Sequence, residues 1–276
     1  MATLLYQNCA LSYQIEGTGP PVIMIQGVGV HASGWLPQLP ALTPHFTCLT
    51  FDNRGLGKSQ PIGAKITLPQ LAGDTLALMD AQGWESAHLM GHSMGGLIAQ
   101  EVALTARRRV KSLSLICTFA RGKDASGLTP AKFWIGMRTW VGPAASRRRA
   151  ILELTLPKGQ LPDDCGPLAE HLARYFGHDL ANHPPVSMKQ LSAISAHNVT
   201  PRLGELAGIP TLVISAQYDR LAPPASGKSI AAGIPGARYM EIADQAHGAP
   251  MLRADEVSQH LLTHLMSIAP GPTRGS

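Results

Sequence analysis

Residues 91–96 read Gly-His-Ser-Met-Gly-Gly. The spacing G-x-S-x-G suits a serine held on a sharp strand-to-helix turn with its hydroxyl exposed. The flanks agree with that geometry. Residues 87–90 form a short apolar run of strand length, and Met94, Leu97, Ile98 and Val102 then repeat at helical spacing. Glycines fit a turn in which side chains would meet neighbouring backbone, and the start of the following helix favours nearby negative charge. Ser93 is therefore a candidate nucleophile, and a serine hydroxyl needs a base to act as one. Two places near the C-terminus offer histidines. His247 sits in Asp244-Gln245-Ala246-His247-Gly248, a loop between the run 238–242 and the last helix. His260 and His264 lie four apart inside that helix and read as an exposed or half-buried pair. His92 adjoins Ser93 and is expected to point elsewhere on the turn.

The elements that must position these groups alternate. Strand-length runs occur at 22–26, 47–51, 87–90, 112–117, 211–215 and 238–242, several of them apolar throughout, as strands covered on both faces are. Residues 11–16 suit an edge strand. Thr67 and Gln70 make a capping-box pattern ahead of Leu68, Leu71, Ala72, Thr75, Leu76 and Met79, and Gly83 stops that helix. Val257, Leu261, Leu265 and Ile268 mark the last one. Such alternation predicts an α/β fold with a mostly parallel, doubly wound sheet. Residues 119–205 break the pattern, with helical stretches punctuated by Pro and Gly and no convincing strand. They are expected to form a helical cap between two strands of a core made of 1–118 and 206–268. The tail, 269–276, is expected to be flexible.

With these features in place the chain resembles the α/β-hydrolase family over roughly residues 11–268. Phe51-Asp52-Asn53-Arg54-Gly55-Leu56-Gly57-Lys58-Ser59 is similar to that family's D-x-R-G-x-G-x-S turn, in which Asp52 and Arg54 read as a structural brace. The resemblance implies a triad in the order Ser, acid, His: Ser93, Asp219 and His247. Asp219 lies in Gln217-Tyr218-Asp219-Arg220 after the run 211–215 and would hold the His247 tautomer. Asp124 is a rival, one strand earlier but further from its strand end at Cys117, and Asp244 reads as a loop residue. The oxyanion hole implied by the family uses the Met94 amide and, from Gln26-Gly27-Val28-Gly29-Val30-His31, the Val28 amide. Gln26 stands where the family usually has His. Trp134 and Trp140 are candidate pocket walls, with Phe133, Tyr175 and Phe176, and packing of the cap on itself or on the sheet is an equal alternative. Trp35, after the 26–31 loop, is expected in the core or the pocket wall.

Composition narrows the field. The 276 residues are 45% hydrophobic and 15% charged, which excludes collagen-like, coiled-coil, disordered and disulfide-scaffold classes. Of the net +5, the stretch 107–149 holds eleven Lys or Arg against one acid, Asp124. No nucleic-acid motif accompanies it, so a solvated face is expected and nucleic acid is not. Four scattered cysteines without a CxxC pair, no secretory signal and no run long enough to span a membrane suggest a cytoplasmic protein without stable membrane insertion. No metal-ligand spacing appears, and no cofactor is expected. The expected function is a serine esterase acting through an acyl-enzyme on small to medium carboxylic esters. Lactone hydrolysis, carbon–carbon hydrolysis on the same triad and a slow-turnover sensor are the alternatives. Monomer and homodimer both stay open.

Overall fold

The computed structural model describes residues 1–61, 63, 65–125 and 130–268, with only the backbone at 125 and 130–133. The tail 269–276 lies outside the described residues.

Among them, eight strands form one sheet: β1 (Ala2–Tyr6), β2 (Cys9–Glu16), β3 (Pro21–Ile25), β4 (Thr47–Phe51), β5 (Ala87–His92), β6 (Val110–Ile116), β7 (Thr211–Ala216) and β8 (Arg238–Ile242). Their spatial order is β1-β2-β4-β3-β5-β6-β7-β8. The pairs from β4 to β8 are parallel, and β2 joins β1 and β4 antiparallel. The doubly wound sheet expected from the alternation is present. β1 lies outside the sequence-based expectation: it is short, three of its five residues are exposed, and it is held as the outer strand of a hairpin.

The helices are α1 (Leu39–Leu42), α2 (Leu68–Ala81), α3 (Met94–Thr105), α4 (Gly122–Ala125), α5 (Pro130–Trp140), α6 (Ala144–Thr155), α7 (Gly166–Phe176), α8 (Ser187–Ser195), α9 (Pro224–Gly233), α10 (Ala249–Leu252) and α11 (Ala254–Met266). The side chain of Thr67 caps α2 by accepting from the Gln70 amide at 3.3 Å. Strand β3 shows how the core divides. Ile23 and Ile25 pack with α2 and α3 residues such as Leu71 and Leu97 on one face. Val22 and Met24 pack with Trp35 and with Val257 and Leu261 of α11 on the other. Period-two alternation in a strand buried on both faces produces this split.

Helices α4 to α8 all fall between β6 and β7, and no named strand lies among them in the described residues. Part of the basic stretch is answered by acids. Arg138 pairs with Glu153, Arg148 with Asp179, Arg109 with Asp80 and Arg121 with Asp124.

Candidate active site

β3 lies between β4 and β5, so successive connections leave its two sides in opposite directions. The crevice at the carboxyl ends of strands at such a switch point is where open α/β sheets hold ligands. Ile25 of β3 is in register with Gly91 of β5, which delivers loop 26–31 and the turn at Ser93 to one place. A Cβ on Gly27 would stand 3.0 Å from the Ser93 Cβ.

Ser93 has φ 55° and ψ −121° at the start of α3. A non-glycine residue in such a conformation costs about 1–3 kcal/mol and persists only where its surroundings hold it. Here the Ser93 amide donates to the Ile116 carbonyl at 3.0 Å, and the Ser93 carbonyl accepts from Thr118 Oγ1 at 2.6 Å. The flanking glycines follow from space. A Cβ on Gly95 would strike the Ile25 carbonyl, and one on Gly91 would strike the Gly95 carbonyl.

Asp219 follows β7 and His247 follows β8. His247 Nδ1 lies 2.7 Å from Asp219 Oδ2, and both side chains are buried. Asp219 Oδ1 accepts from the Leu221 and Ala222 amides, each at 2.8 Å, which fixes the carboxylate plane. With Nδ1 committed, Nε2 is the His247 nitrogen left to handle a proton. Ser93 and His247 line the same cavity. The rivals lie elsewhere in the hydrogen-bond network: Asp124 pairs with Arg121, and the Asp244 amide is held by Gln217 Oε1 at 3.0 Å.

Two histidines differ from expectation. His92 does not point away; its ring packs on His247 with centroids 4.9 Å apart, and its Nε2 is 3.3 Å from the His247 carbonyl. Complete burial pushes His92 down to about 3, so it stays neutral and adds no charge beside the base. His264 is buried rather than surface-facing. It reaches Leu113 O at 3.2 Å through the sheet face, and burial lowers it to about 4.

The other brace also differs in its partner. Arg54 pairs through two nitrogens with Asp74 of α2, at 2.5 and 3.0 Å, not with Asp52. Asp52 instead accepts from the Ala32 amide at 2.9 Å and the Lys58 amide at 3.2 Å, tying the 52–59 turn to the loop after β3. Cys117, at the end of β6 beside Asp219, is a buried thiol pushed well above its ordinary value by burial.

Loop 26–31 carries Val28, and α3 begins with Met94. The Met94 amide is one of the first N–H groups that every helix leaves without an intrahelical partner. Among the described residues, no group accepts from the Val28 amide. Gln26 folds over its own loop, accepting from the Gly27 amide at 3.3 Å. Most of the support comes from far along the chain. Gln190 Oε1 accepts from the Gly29 amide at 2.9 Å, and His178 Nε2 donates to the Gly29 carbonyl at 2.8 Å. The His31 amide donates to the Phe176 carbonyl at 3.1 Å. Nothing in the local sequence announces these partners, which lie up to 161 positions away.

The cavity has a volume of about 650 Å³. Its walls come from loop 26–31, the ends of β5 and β8, and helices α5 to α8. Trp140 lines it, stacked on His183 with ring centroids 3.8 Å apart, and Phe176 lines it too. Trp35 and Trp134 do not. Trp35 is fully buried beneath the sheet against Val22 and Met24. Trp134 is 67% exposed and lies about 200° round α5 from the cavity-lining Gly136. Tyr175 is also absent from the lining, and the Phe133 side chain lies outside the described residues. Among the described residues no group of three or more His, Cys, Asp or Glu is arranged to hold a metal ion, and no helix is long and apolar enough to cross a membrane.

The sequence profile of the alpha/beta hydrolase fold matches residues 20–254. The chain belongs to the alpha/beta hydrolase fold family. It is 31% identical over 255 residues to a protein of Azorhizobium caulinodans named "Putative carbamate hydrolase RutD", spanning 91% of this chain and 93% of that one. Among solved structures this alpha/beta hydrolase resembles the enol-lactonase from Burkholderia xenovorans LB400, with 27% identity and a TM-score of 0.80 over 96% of this chain and all of that one. A hydrolase from Pseudomonas aeruginosa PA01 is similar at 27% identity and a TM-score of 0.79, covering 96% and 97%. Family and neighbours together support hydrolytic chemistry.

Proposed function

We propose that this alpha/beta hydrolase cleaves carboxylic esters of small to medium size through a serine acyl-enzyme, with Ser93 as nucleophile, His247 as base and Asp219 as the acid that orients it. The observation that carries this reading is the 2.7 Å contact of His247 Nδ1 with Asp219 Oδ2 on the cavity that Ser93 also lines. Ser93 Oγ attacks the acyl carbon while His247 Nε2 takes its proton. The Val28 and Met94 amides receive the oxyanion, a contribution worth about 10²–10³ in rate for each donor. His247 returns the proton to the leaving alcohol as the carbon–oxygen bond breaks. Water then attacks the acyl carbon, giving its proton to the same nitrogen, and Ser93 is released with the acid.

Residues 119–205 act as the cap of this site, since α5 to α8 supply the cavity's outer wall. The wall also suggests which acyl groups fit. About half of its described residues are apolar side chains, the rest are Gly, Ser, Thr, Asn and His, and none is Lys, Arg, Asp or Glu. A carboxylate-bearing acyl group would be buried without a counter-ion, at a cost of several kcal/mol. Uncharged apolar acyl groups are therefore preferred. A second reading, lactone hydrolysis, is favoured by the likeness to the enol-lactonase; a lactone is a cyclic ester and needs no other residues.

Rates on p-nitrophenyl esters from acetate to dodecanoate, with the adipate half-ester alongside, test the reading. Turnover of the neutral series with at least a tenfold preference over the half-ester is expected. Failure on every ester and lactone would overturn it.

A further inference from the structure

The helical segment holds the loop expected to carry the oxyanion at His31, through the Phe176 carbonyl, and on both sides of Gly29. Gly29, next to Val28, is buried and has φ +68°, a left-handed conformation that favours glycine. The N–H donates to Gln190 Oε1 at 2.9 Å, and the C=O accepts from His178 Nε2 at 2.8 Å. Both polar groups of the residue beside the proposed donor are thus fixed by residues that follow β6.

Gln190 itself is fully buried in α8, and among the described residues its Nε2 is a buried donor with no hydrogen-bond partner. An unsatisfied buried donor costs about 1–3 kcal/mol. Leucine or methionine would fill that space without the cost. What the position gains from glutamine is therefore the oxygen on Gly29. The same helix touches the cavity through Ser187, Met188 and Leu191. One rigid element thus touches the acyl pocket and the loop beside Ser93.

We infer that Gln190 is a positioning residue for the oxyanion hole, holding the Val28–Gly29 peptide so that the Val28 amide faces the reacting carbonyl, with His178 holding the other side of Gly29. This rests on the serine-hydrolase reading above. It assigns the work that Gln26, in place of the family's usual histidine, does not do from inside the loop. It also links acyl recognition to catalysis, because contacts on α8 reach the oxyanion through Gln190.

The test uses the full-length protein and a fluorophosphonate probe. Ser93 Oγ forms a bond to phosphorus, fluoride leaves, the serine proton passes to His247, and the phosphoryl oxygen must occupy the oxyanion hole. Gln190→Met keeps length and removes the acceptor. Its labelling rate and its kcat on the best ester should fall about 10–100-fold with KM within about threefold, the signature of a misplaced rather than a missing group. His178→Leu should fall similarly, and His178→Gln, which retains a donor, should recover most of the rate. These two variants carry the test if Gln190→Met does not fold. Labelling and kcat within about twofold of wild type, or a loss carried by KM alone, would overturn the inference. Absence of labelling in the wild-type protein would instead defeat the nucleophile assignment, and so the two failures are distinguishable.

Discussion

His247 Nδ1 and Asp219 Oδ2 stand 2.7 Å apart although 28 residues separate them. The contact is a product of strand pairing. β7 and β8 run parallel with Ala216 opposite Ile242, so the loops that leave them emerge side by side. The Gln217 amide then donates to the Ile242 carbonyl at 3.0 Å and the Tyr218 amide to the Gln245 carbonyl at 2.7 Å, which stitches the two loops together. Acid and base are thereby placed by backbone, before any side chain chooses a rotamer.

Asp219→Asn should lower kcat by about 10⁴ with little change in KM, because the amide favours the wrong His247 tautomer. Steady-state kinetics on the best ester check this. A loss smaller than tenfold would contradict the role of Asp219.

Gly95→Ala should cost about 3 kcal/mol of stability, since its Cβ meets the Ile25 carbonyl in the centre of the sheet. Gly136→Ala is the contrast. Among the described residues, nothing beyond its chain neighbours and the helix's own backbone lies within 4 Å of its Cβ, and a helical alanine should gain about 0.5–1 kcal/mol. Urea unfolding of the two variants measures both.

Much of this was legible in the sequence because period and punctuation are local. The apolar runs of β3 to β8, the Thr67 cap and the glycines around Ser93 are each written within a few residues. What was not legible depends on distant partners. Arg54 found Asp74 on α2, a choice the 51–59 segment does not contain. His92 lies on His247 because β5 and the loop after β8 end at the same face. Trp35 is as apolar as Trp140, and only the fold separates a core position from a cavity wall. Gln190 carries no motif at all; its meaning lies in the Gly29 amide.

Acid should unfold the protein steeply. Burial lowers His88 and His264 to about 4 and His92 to about 3, all below the ordinary 6.5. The unfolded chain binds these protons as pH falls through 6.5, while the folded chain does not until near 4 and below. Stability is thus full above 6.5 and declines below it, with a limiting slope of about 4 kcal/mol per pH unit for three such groups. Urea unfolding between pH 7 and 4.5 should show this decline. His88→Gln should flatten it by about a third.

Trp140→Ala should enlarge the cavity and move the acyl-length optimum upward, because Trp140 forms part of its wall. Trp134→Ala, at an exposed position outside the lining, should leave the optimum in place. Relative kcat/KM across the ester series separates the two.

The most direct measurement is mass spectrometry of enzyme acid-quenched during turnover of a slowly hydrolysed ester. A covalent intermediate on Ser93 requires the substrate's acyl mass on the peptide that spans the 91–96 turn, decaying as substrate is exhausted and missing in Ser93→Ala. Steady turnover with no adduct, or with the acyl group on another residue, would contradict the account.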